Sequence, residues 1–544
     1  FDGLQDITLW VVTAILAGGL WYVYTNFFAI DNGPNKAGLS YPLEPPGKHW
    51  LWGHGPLLPQ DGSHYDVTFL KMATEQMNNA SVFSLTLPVV KKMVIVADPD
   101  LIHHITVSAN YDKSWTYSKL IFGPQSIVRA HGPEWVAARK AFVGGFTPTY
   151  LKEMVTVMSN KLERYLKRLD EDVSIEKATN MLHYSQIFTS DVIVQVALGE
   201  DWGNAYNESA EFMDNYENYM THYQKERSKL TEARTWLKEM CFLSSALFND
   251  PMVAMFGYGE RQRMKELEGN VTELFGGVVD RRLADIQEKG TEEKKPKGKN
   301  KERKDICTLA IETMKSSGSM TLTPAEKANV VEQLKTFYFA GNDTTATTIA
   351  WATWLLAQHP EAIKTLRKEL DQKKIFRGLK SGEEIGSLER TAPTYDDLSN
   401  CPYLDAVVKE TLRLYPPAST ARYVADPNAS YNKEYKLGGA VLYVNPYVMH
   451  RLPQYWEKPN DFLPDRFVGV APESYANKYL PFSKGKRDCL GKYFATVEAK
   501  LAIAALVQRY DMRCYDEDEK IGYRITAYPM GGAKVYLAER SSKN

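Results

Sequence analysis

The run Pro481-Phe482-Ser483-Lys484-Gly485-Lys486-Arg487-Asp488-Cys489-Leu490-Gly491 constrains this chain more than any other stretch. It ends a loop on one cysteine, with an aromatic residue seven positions earlier and an arginine two earlier. A helical pattern, Lys492 to Gln508, follows directly. Backbone N–H groups and the positive end of a helix dipole favour a thiolate there. Gly485 lets the loop turn tightly, and Gly491 lets the backbone approach a flat partner. Such a thiolate can bind haem iron and push electron density onto it, which favours O–O cleavage. The alternative is a cysteine packed as a small hydrophobe.

The remaining composition narrows the field. The chain has 544 residues, ample for one large core. Its 66 basic and 67 acidic residues leave a net charge of −1, so nothing global points to nucleic acid. Cys241, Cys307, Cys401, Cys489 and Cys514 are scattered with no C-x-x-C spacing. That pattern speaks against zinc or dithiol sites and fits a reducing compartment.

Ile7 to Ile30 carries no charge, which is long enough to span a bilayer. Trp10 lies near one end, and Trp21, Tyr22 and Tyr24 lie towards the other, as interfacial anchors do. No Lys or Arg precedes Lys36, whereas Asp2 and Asp6 come first, so the bulk of the chain is expected in the cytosol. A cleaved signal is the competing reading. The expected division is an anchor over residues 1–30, a proline-rich hinge over 31–56 and one catalytic body over 57–544. The hinge contains Tyr41-Pro42-Leu43-Glu44-Pro45-Pro46-Gly47, which is stiff.

Beyond it, Val82-Phe83-Ser84-Leu85-Thr86-Leu87 and Met93-Val94-Ile95-Val96-Ala97 read as strands. Helical patterns then dominate to about residue 420. Gln287 to Asp305 is dense in Lys and Glu and reads as a solvated loop. Gly378 to Thr394 reads as a second polar insertion.

A long helical pattern contains Phe339-Ala340-Gly341-Asn342-Asp343-Thr344-Thr345. Thr323, Pro324 and Glu326 supply a capping-box start, and Pro360 stops the pattern near His359. A mid-helix glycine costs about 1 kcal/mol. The Asp and Thr side chains beside it can open the backbone ladder and hold water. Packing of the glycine against a neighbouring helix is the plainer explanation. Glu410 and Arg413 share one helix face, ahead of Leu414-Tyr415-Pro416-Pro417 and Pro464-Asp465-Arg466-Phe467. Trp135 and Arg139 share another face. Lys484, Lys486 and Lys492 crowd the Cys489 loop, with Lys140 on the helix of Trp135.

In this order the motifs resemble the cytochrome P-450 monooxygenases. The loop matches F-x-x-G-x-R-x-C-x-G at Phe482, Gly485, Arg487, Cys489 and Gly491, and the helix matches A/G-G-x-D/E-T. The resemblance runs from the hinge to the C-terminus, with His450-Arg451 and Trp456 to Pro459 also following the family pattern. It implies the mainly α cytochrome P-450 fold with a small β region, preceded by one transmembrane helix. It implies haem b held by the Cys489 thiolate, O2 as co-substrate, and NADPH electrons delivered by a flavoprotein reductase, with a small cytochrome as a second donor. By resemblance Asp343 gates proton delivery and Thr344 hydrogen-bonds the bound dioxygen. Trp135, Arg139 and Arg422 face the propionates. Glu410, Arg413 and Arg466 form a buried network that holds the cysteine loop. Asp465 stands where the family more often has Glu.

Substrate-facing positions follow from their places relative to these motifs. They are Tyr117, Leu120, Ile121 and Phe122, then Phe337, Phe339 and Ala340, then Ala418, Ser419 and Thr420, then Tyr528, Pro529 and Met530. Together they predict an apolar, aromatic pocket. With a membrane anchor this suggests a sterol or fatty acid, and location on the endoplasmic reticulum membrane with a cytosolic catalytic body. Asp343-Thr344 replaces the His-Thr of sterol 14-demethylases, which speaks against that activity. A non-oxygenating haem-thiolate isomerase or dehydratase would not need the acid–alcohol pair. A haem sensor or electron carrier would leave the pocket and the basic patch without a use.

Overall fold

The computed structural model describes residues 34–48, 53–59, 63–87, 91–114, 122–203, 258–292, 305–314, 321–376, 379, 392–523 and 526–540. The expected membrane span, Ile7 to Ile30, lies outside them. Among the described residues no helix is long and apolar enough to cross a membrane.

Two hydrophobic clusters organise the body. The smaller surrounds a four-stranded sheet of β1 (Val82–Leu87), β2 (Lys91–Val96), β3 (Thr420–Tyr423) and β4 (Val441–Val444). The strand order is β1-β2-β4-β3, and only β2 and β4 run parallel. Phe83, Leu85, Val94, Ile95 and Leu442 are fully buried, so this sheet is covered rather than solvated. The expected hinge docks onto it. Ser84 Oγ donates to the Pro42 carbonyl (2.6 Å), and Lys92 Nζ contacts Glu44 Oε1 (2.5 Å). His54 bridges the Pro45 carbonyl and the Thr86 N–H. Burial opposes ionisation of Glu44, but contacts from Lys92, Thr86 and Lys48 outweigh it and hold its carboxyl at about 2.

The larger cluster is helical. Among its helices are α1 (Gly132–Phe142), α2 (Pro148–Ser174), α3 (Met181–Ile193), α4 (Tyr258–Glu292), α5 (Pro324–Gln358), α6 (Pro402–Leu414) and α7 (Lys492–Arg509). The expected loop at Gln287 is helical to Glu292, because Lys, Glu and Gln are good helix formers. α5 starts with the anticipated capping box at Thr323 and Glu326. Val330, Leu334, Ala346, Ile349, Ala350 and Trp351 bury all its sides, as a central helix requires. Trp351 stacks on Tyr415 at 3.8 Å, tying α5 to the end of α6. α7 is fixed at its far end, where buried Arg509 Nε donates to Asp170 of α2 (3.1 Å). β5 (Tyr510–Cys514) continues from it and pairs antiparallel with β6 (Lys534–Glu539).

Candidate active site

Cys489 sits two residues before Gly491, the N-cap of α7. Its N–H donates to the Phe482 carbonyl (2.9 Å), and the Asp488 N–H to that of Gly485 (3.1 Å). Gly485 has φ +78°, and a Cβ there would lie 2.2 Å from the Thr106 carbonyl oxygen. Only glycine satisfies both demands. Burial holds the Cys489 thiol above its ordinary range, and Asp488 adds to this. The Gly491 N–H, Arg139 and Lys492 act the other way. The residue lies deep in the protein, yet its side chain is accessible because it opens onto a cavity of about 340 Å³.

That cavity lies between the cysteine loop and the Ala340–Thr345 stretch of α5. Phe482, Arg487, Cys489, Gly491, Trp135 and Arg139 line it. Phe122, Phe337, Phe339 and Ala340 also line it, with Ala418, Ser419 and Thr420. Phe122 and Phe339 meet edge to face at 5.5 Å. A Cβ at Gly491 would meet no protein atom outside its chain neighbours closer than Phe146 at 3.8 Å, so the cavity side of that backbone is open. A largely apolar cavity lined by a thiol and two arginines fits a flat macrocycle bearing carboxylates. Arg139 also holds the loop, donating to the Asp488 carbonyl (2.8 Å) and carboxylate (2.6 Å). Arg487 lies over the Trp135 ring at 4.4 Å and donates to the Ala130 carbonyl (2.5 Å).

Several expected residues stand elsewhere. Arg422 is fully buried on β3, does not line the cavity, and donates to the Tyr111 carbonyl (3.0 Å). The cation that does reach the cavity near β3 is Lys113, whose Nζ donates to Thr420 Oγ1 (2.5 Å). Asp343 is also off the cavity wall. Gln186 Nε2 donates to its Oδ1 (3.2 Å), and Thr526 Oγ1 contacts its Oδ2. Thr526 itself lines the cavity, so the acid lies one hydroxyl behind the wall. Thr344 is on the wall, and its hydroxyl donates back to the Ala340 carbonyl (2.7 Å). Tyr528 and Met530 do not line the cavity; they cover Gly522, where a Cβ would lie 2.6 Å from Tyr528 and 2.7 Å from Met530. Pro529 pairs with Ile521 in the same hairpin and is likewise off the wall. Tyr117, Leu120 and Ile121 lie outside the described residues.

Gly341 also gains a different reason. The helix runs through it without a break. A Cβ there would stand 2.7 Å from Ile193 Cδ1 and 2.8 Å from Cγ1. The glycine lets α3 and α5 approach, and Thr189 Oγ1 donates to the Asn342 side chain (2.7 Å) at the same crossing. Sequence reasoning missed Thr526, Gln186 and Lys113. Each acts through a partner more than 150 positions away, and no local pattern marks it.

Glu410 and Arg413 are both fully buried. Arg413 uses all five N–H donors. Nε and Nη2 reach Glu410 (2.7 and 2.9 Å), Nη1 reaches the carbonyls of His450 and Pro459 (2.8 and 2.6 Å), and Nη2 also reaches that of Asp461 (3.0 Å). Arg466 Nε and the Leu463 N–H donate to Glu410 Oε1 as well (3.0 and 2.9 Å). Such a fork suits a buried junction of loops.

Comparison with known proteins gives one consistent result. The family model described as cytochrome P450 matches residues 43–523. The chain is similar to cytochrome P450 3A13 of Mus musculus, 27% identical over 434 residues that cover 78% of each chain. It is similar to cytochrome P450 4V2 of Homo sapiens, 25% identical over 504 residues, 90% of this chain and 88% of that one. It is also similar to cytochrome P450 4A14 of Rattus norvegicus, 27% identical over 486 residues, 88% and 85% respectively.

Proposed function

The chain belongs to the cytochrome P-450 family of monooxygenases, and from that premise we propose that it inserts one oxygen atom of O2 into a hydrophobic lipid, a sterol or fatty acid. The observation that carries this reading is the cavity itself, which joins the Cys489 thiol to an aromatic wall of Phe122, Phe337 and Phe339. Cys489 would hold haem b, with Trp135, Arg139, Arg487 and Gly491 around it. The bound haem supplies the oxygen-activating iron, whose thiolate ligand favours O–O cleavage.

The chain's own residues bind substrate, exclude water and manage protons. Apolar side chains on the α5 side take the lipid and keep bulk water out. Asp343 accepts from Thr526 Oγ1, the hydroxyl that separates it from the cavity, so a proton can pass between carboxyl and wall through that hydroxyl. Thr344 offers a hydroxyl at the wall whose oxygen can still accept a hydrogen bond. The pair forms a positioned proton source, worth about 10²–10⁴ in rate. Arg422 ties β3 to the Tyr111 carbonyl through Nη1 and would be the third candidate for a propionate.

Electrons would come from an NADPH-dependent flavoprotein reductase, with a small cytochrome as second donor, through the Cys489 side. Lys140 and Lys486 are exposed there, beside Lys484 and Lys492. Such a basic patch suits an acidic partner. The uncharged segment Ile7 to Ile30 would anchor the protein in the endoplasmic reticulum membrane, with the body in the cytosol.

The test is the absorbance of the reduced, CO-bound protein, followed by turnover of a lipid library with a flavoprotein reductase. A thiolate-type Soret band that disappears in Cys489→Ala, and an oxygenated lipid product, are expected. An unchanged band in Cys489→Ala overturns the ligand assignment, and rearranged or dehydrated products without oxygen insertion overturn the reaction.

A further inference from the structure

His450 lies 39 residues before Cys489 in the chain and outside the cavity lining, yet its ring joins two parts of the scaffold. It is fully buried. The Leu480 N–H donates to its Nε2 (3.0 Å), so Nε2 is the unprotonated nitrogen. Nδ1–H then donates to the Arg413 carbonyl (3.1 Å), an acceptor in the last turn of α6 that the helix itself leaves open. The Arg413 side chain donates in return to the His450 carbonyl (2.8 Å), which closes a reciprocal pair. Tyr479 stacks on the ring at 5.5 Å and 20°. Leu480 precedes Pro481 and Phe482, and the Phe482 carbonyl receives the Cys489 N–H (2.9 Å). An unbroken set of contacts therefore runs from the buried Glu410–Arg413 fork, through one imidazole, to the backbone that holds the thiol.

We propose that His450 is a positioning residue for the Cys489 ligand, and that its neutral Nδ1–H tautomer makes thiolate ligation sensitive to acid. The inference rests on Cys489 being the haem ligand. Protonation would convert Nε2 from acceptor to donor. Two N–H groups would then face each other at Leu480, and the start of the cysteine loop would lose its tie. The charged groups facing the ring are Arg413 on α6, which carries Glu410 on its Nε and Nη2, and Arg451 next to it in the chain; Tyr479 stacks on the ring and Trp456 meets it edge to face. Burial and the two arginines keep the imidazole neutral to well below its ordinary range. The histidine that folding keeps neutral becomes charged in the unfolded chain first. Stability from it is full above about pH 6.5 and falls as pH drops toward the folded value.

The experiment compares wild type with His450→Gln and His450→Leu in the full-length, haem-loaded protein. A glutamine amide retains one donor and one acceptor but does not titrate in this range. The readouts are the Soret band of the reduced, CO-bound form across pH, and haem content at each pH. Wild type is expected to lose the thiolate-type band on acidification while haem remains bound. His450→Gln should keep the band at neutral pH and move the acid midpoint down by about one pH unit. His450→Leu should lose the band at neutral pH. If His450→Leu does not fold, the Gln comparison decides alone. Equal acid midpoints in wild type and His450→Gln overturn the proposal, as does a normal band in a folded His450→Leu protein. A band that survives Cys489→Ser would instead overturn the ligand assignment.

Discussion

Removing Arg413 should cost far more than removing Arg466, although both touch the same carboxylate. In Arg413→Ala, Glu410 keeps Arg466 and the Leu463 N–H on Oε1 but loses the donor to Oε2. Breaking a buried pair costs about 3–5 kcal/mol, and the surviving Arg466 contact argues for the lower end. Three carbonyls, those of His450, Pro459 and Asp461, lose a charged donor at the same time. At about 1 kcal/mol each the total reaches about 6 kcal/mol. Domains of this kind are stable by about 5–15 kcal/mol, so a large share of the reserve is gone. Arg466→Ala leaves the Arg413 fork intact and removes a side chain that is 14% exposed. Its cost should be about 1.5–3 kcal/mol. The assay is denaturant unfolding of the haem-loaded protein, with holoprotein yield alongside. Arg466→Ala should yield folded, loaded protein, and Arg413→Ala little or none. Equal losses in the two variants would refute the reasoning that donor count and burial set the order.

Thr344→Ala should leave haem content unchanged but raise peroxide formed per NADPH consumed, and Asp343→Asn should slow product formation about tenfold or more; both are read from NADPH, peroxide and product together. Gly341→Ala should gain about 1 kcal/mol of helix propensity and lose about 1–3 kcal/mol to overpacking against Ile193, for a net loss that Ile193→Val partly reverses in a double-mutant cycle. Glu44 has a folded pKa below its unfolded one, so its contribution is full above about pH 4.5 and fades as pH falls toward 2; Glu44→Gln should flatten that part of the stability curve. Reversing Lys486 and Lys140 to Glu should slow reductase-driven haem reduction, more at low salt, and leave dithionite reduction unchanged.

Local chemistry was legible in the sequence. The capping box at Thr323 and Glu326, the strand Val82–Leu87 and the start of α7 after Gly491 each depend on neighbours within a few residues. Features that depend on chain crossing were not. Gly341 reads as a possible ladder opening until Ile193, 148 positions away, is beside it. Asp343 reads as a proton gate, but nothing in the sequence shows that Thr526, 183 positions away, stands between it and the cavity. Arg422 and Lys113 are bridge partners far apart in the chain, and it is Lys113 that lines the cavity.

The docking of the proline segment sets a limit on reach. Asn35 already donates to the Asn428 carbonyl (3.3 Å), the Ser40 carbonyl accepts from the Lys436 N–H (2.8 Å), and Tyr41 donates to that of Gly438 (2.6 Å). Were Ile7 to Ile30 to lie in a bilayer, as proposed, five links of chain would join Ile30 to Asn35. Five links span at most about 17 Å. The segment would then act as a bracket and not as a leash. The body would sit against the lipid surface with little freedom to swivel, and one face of it would always be the face turned to the membrane. Inserting a flexible stretch before Asn35 would release that orientation without touching a single residue of the cavity.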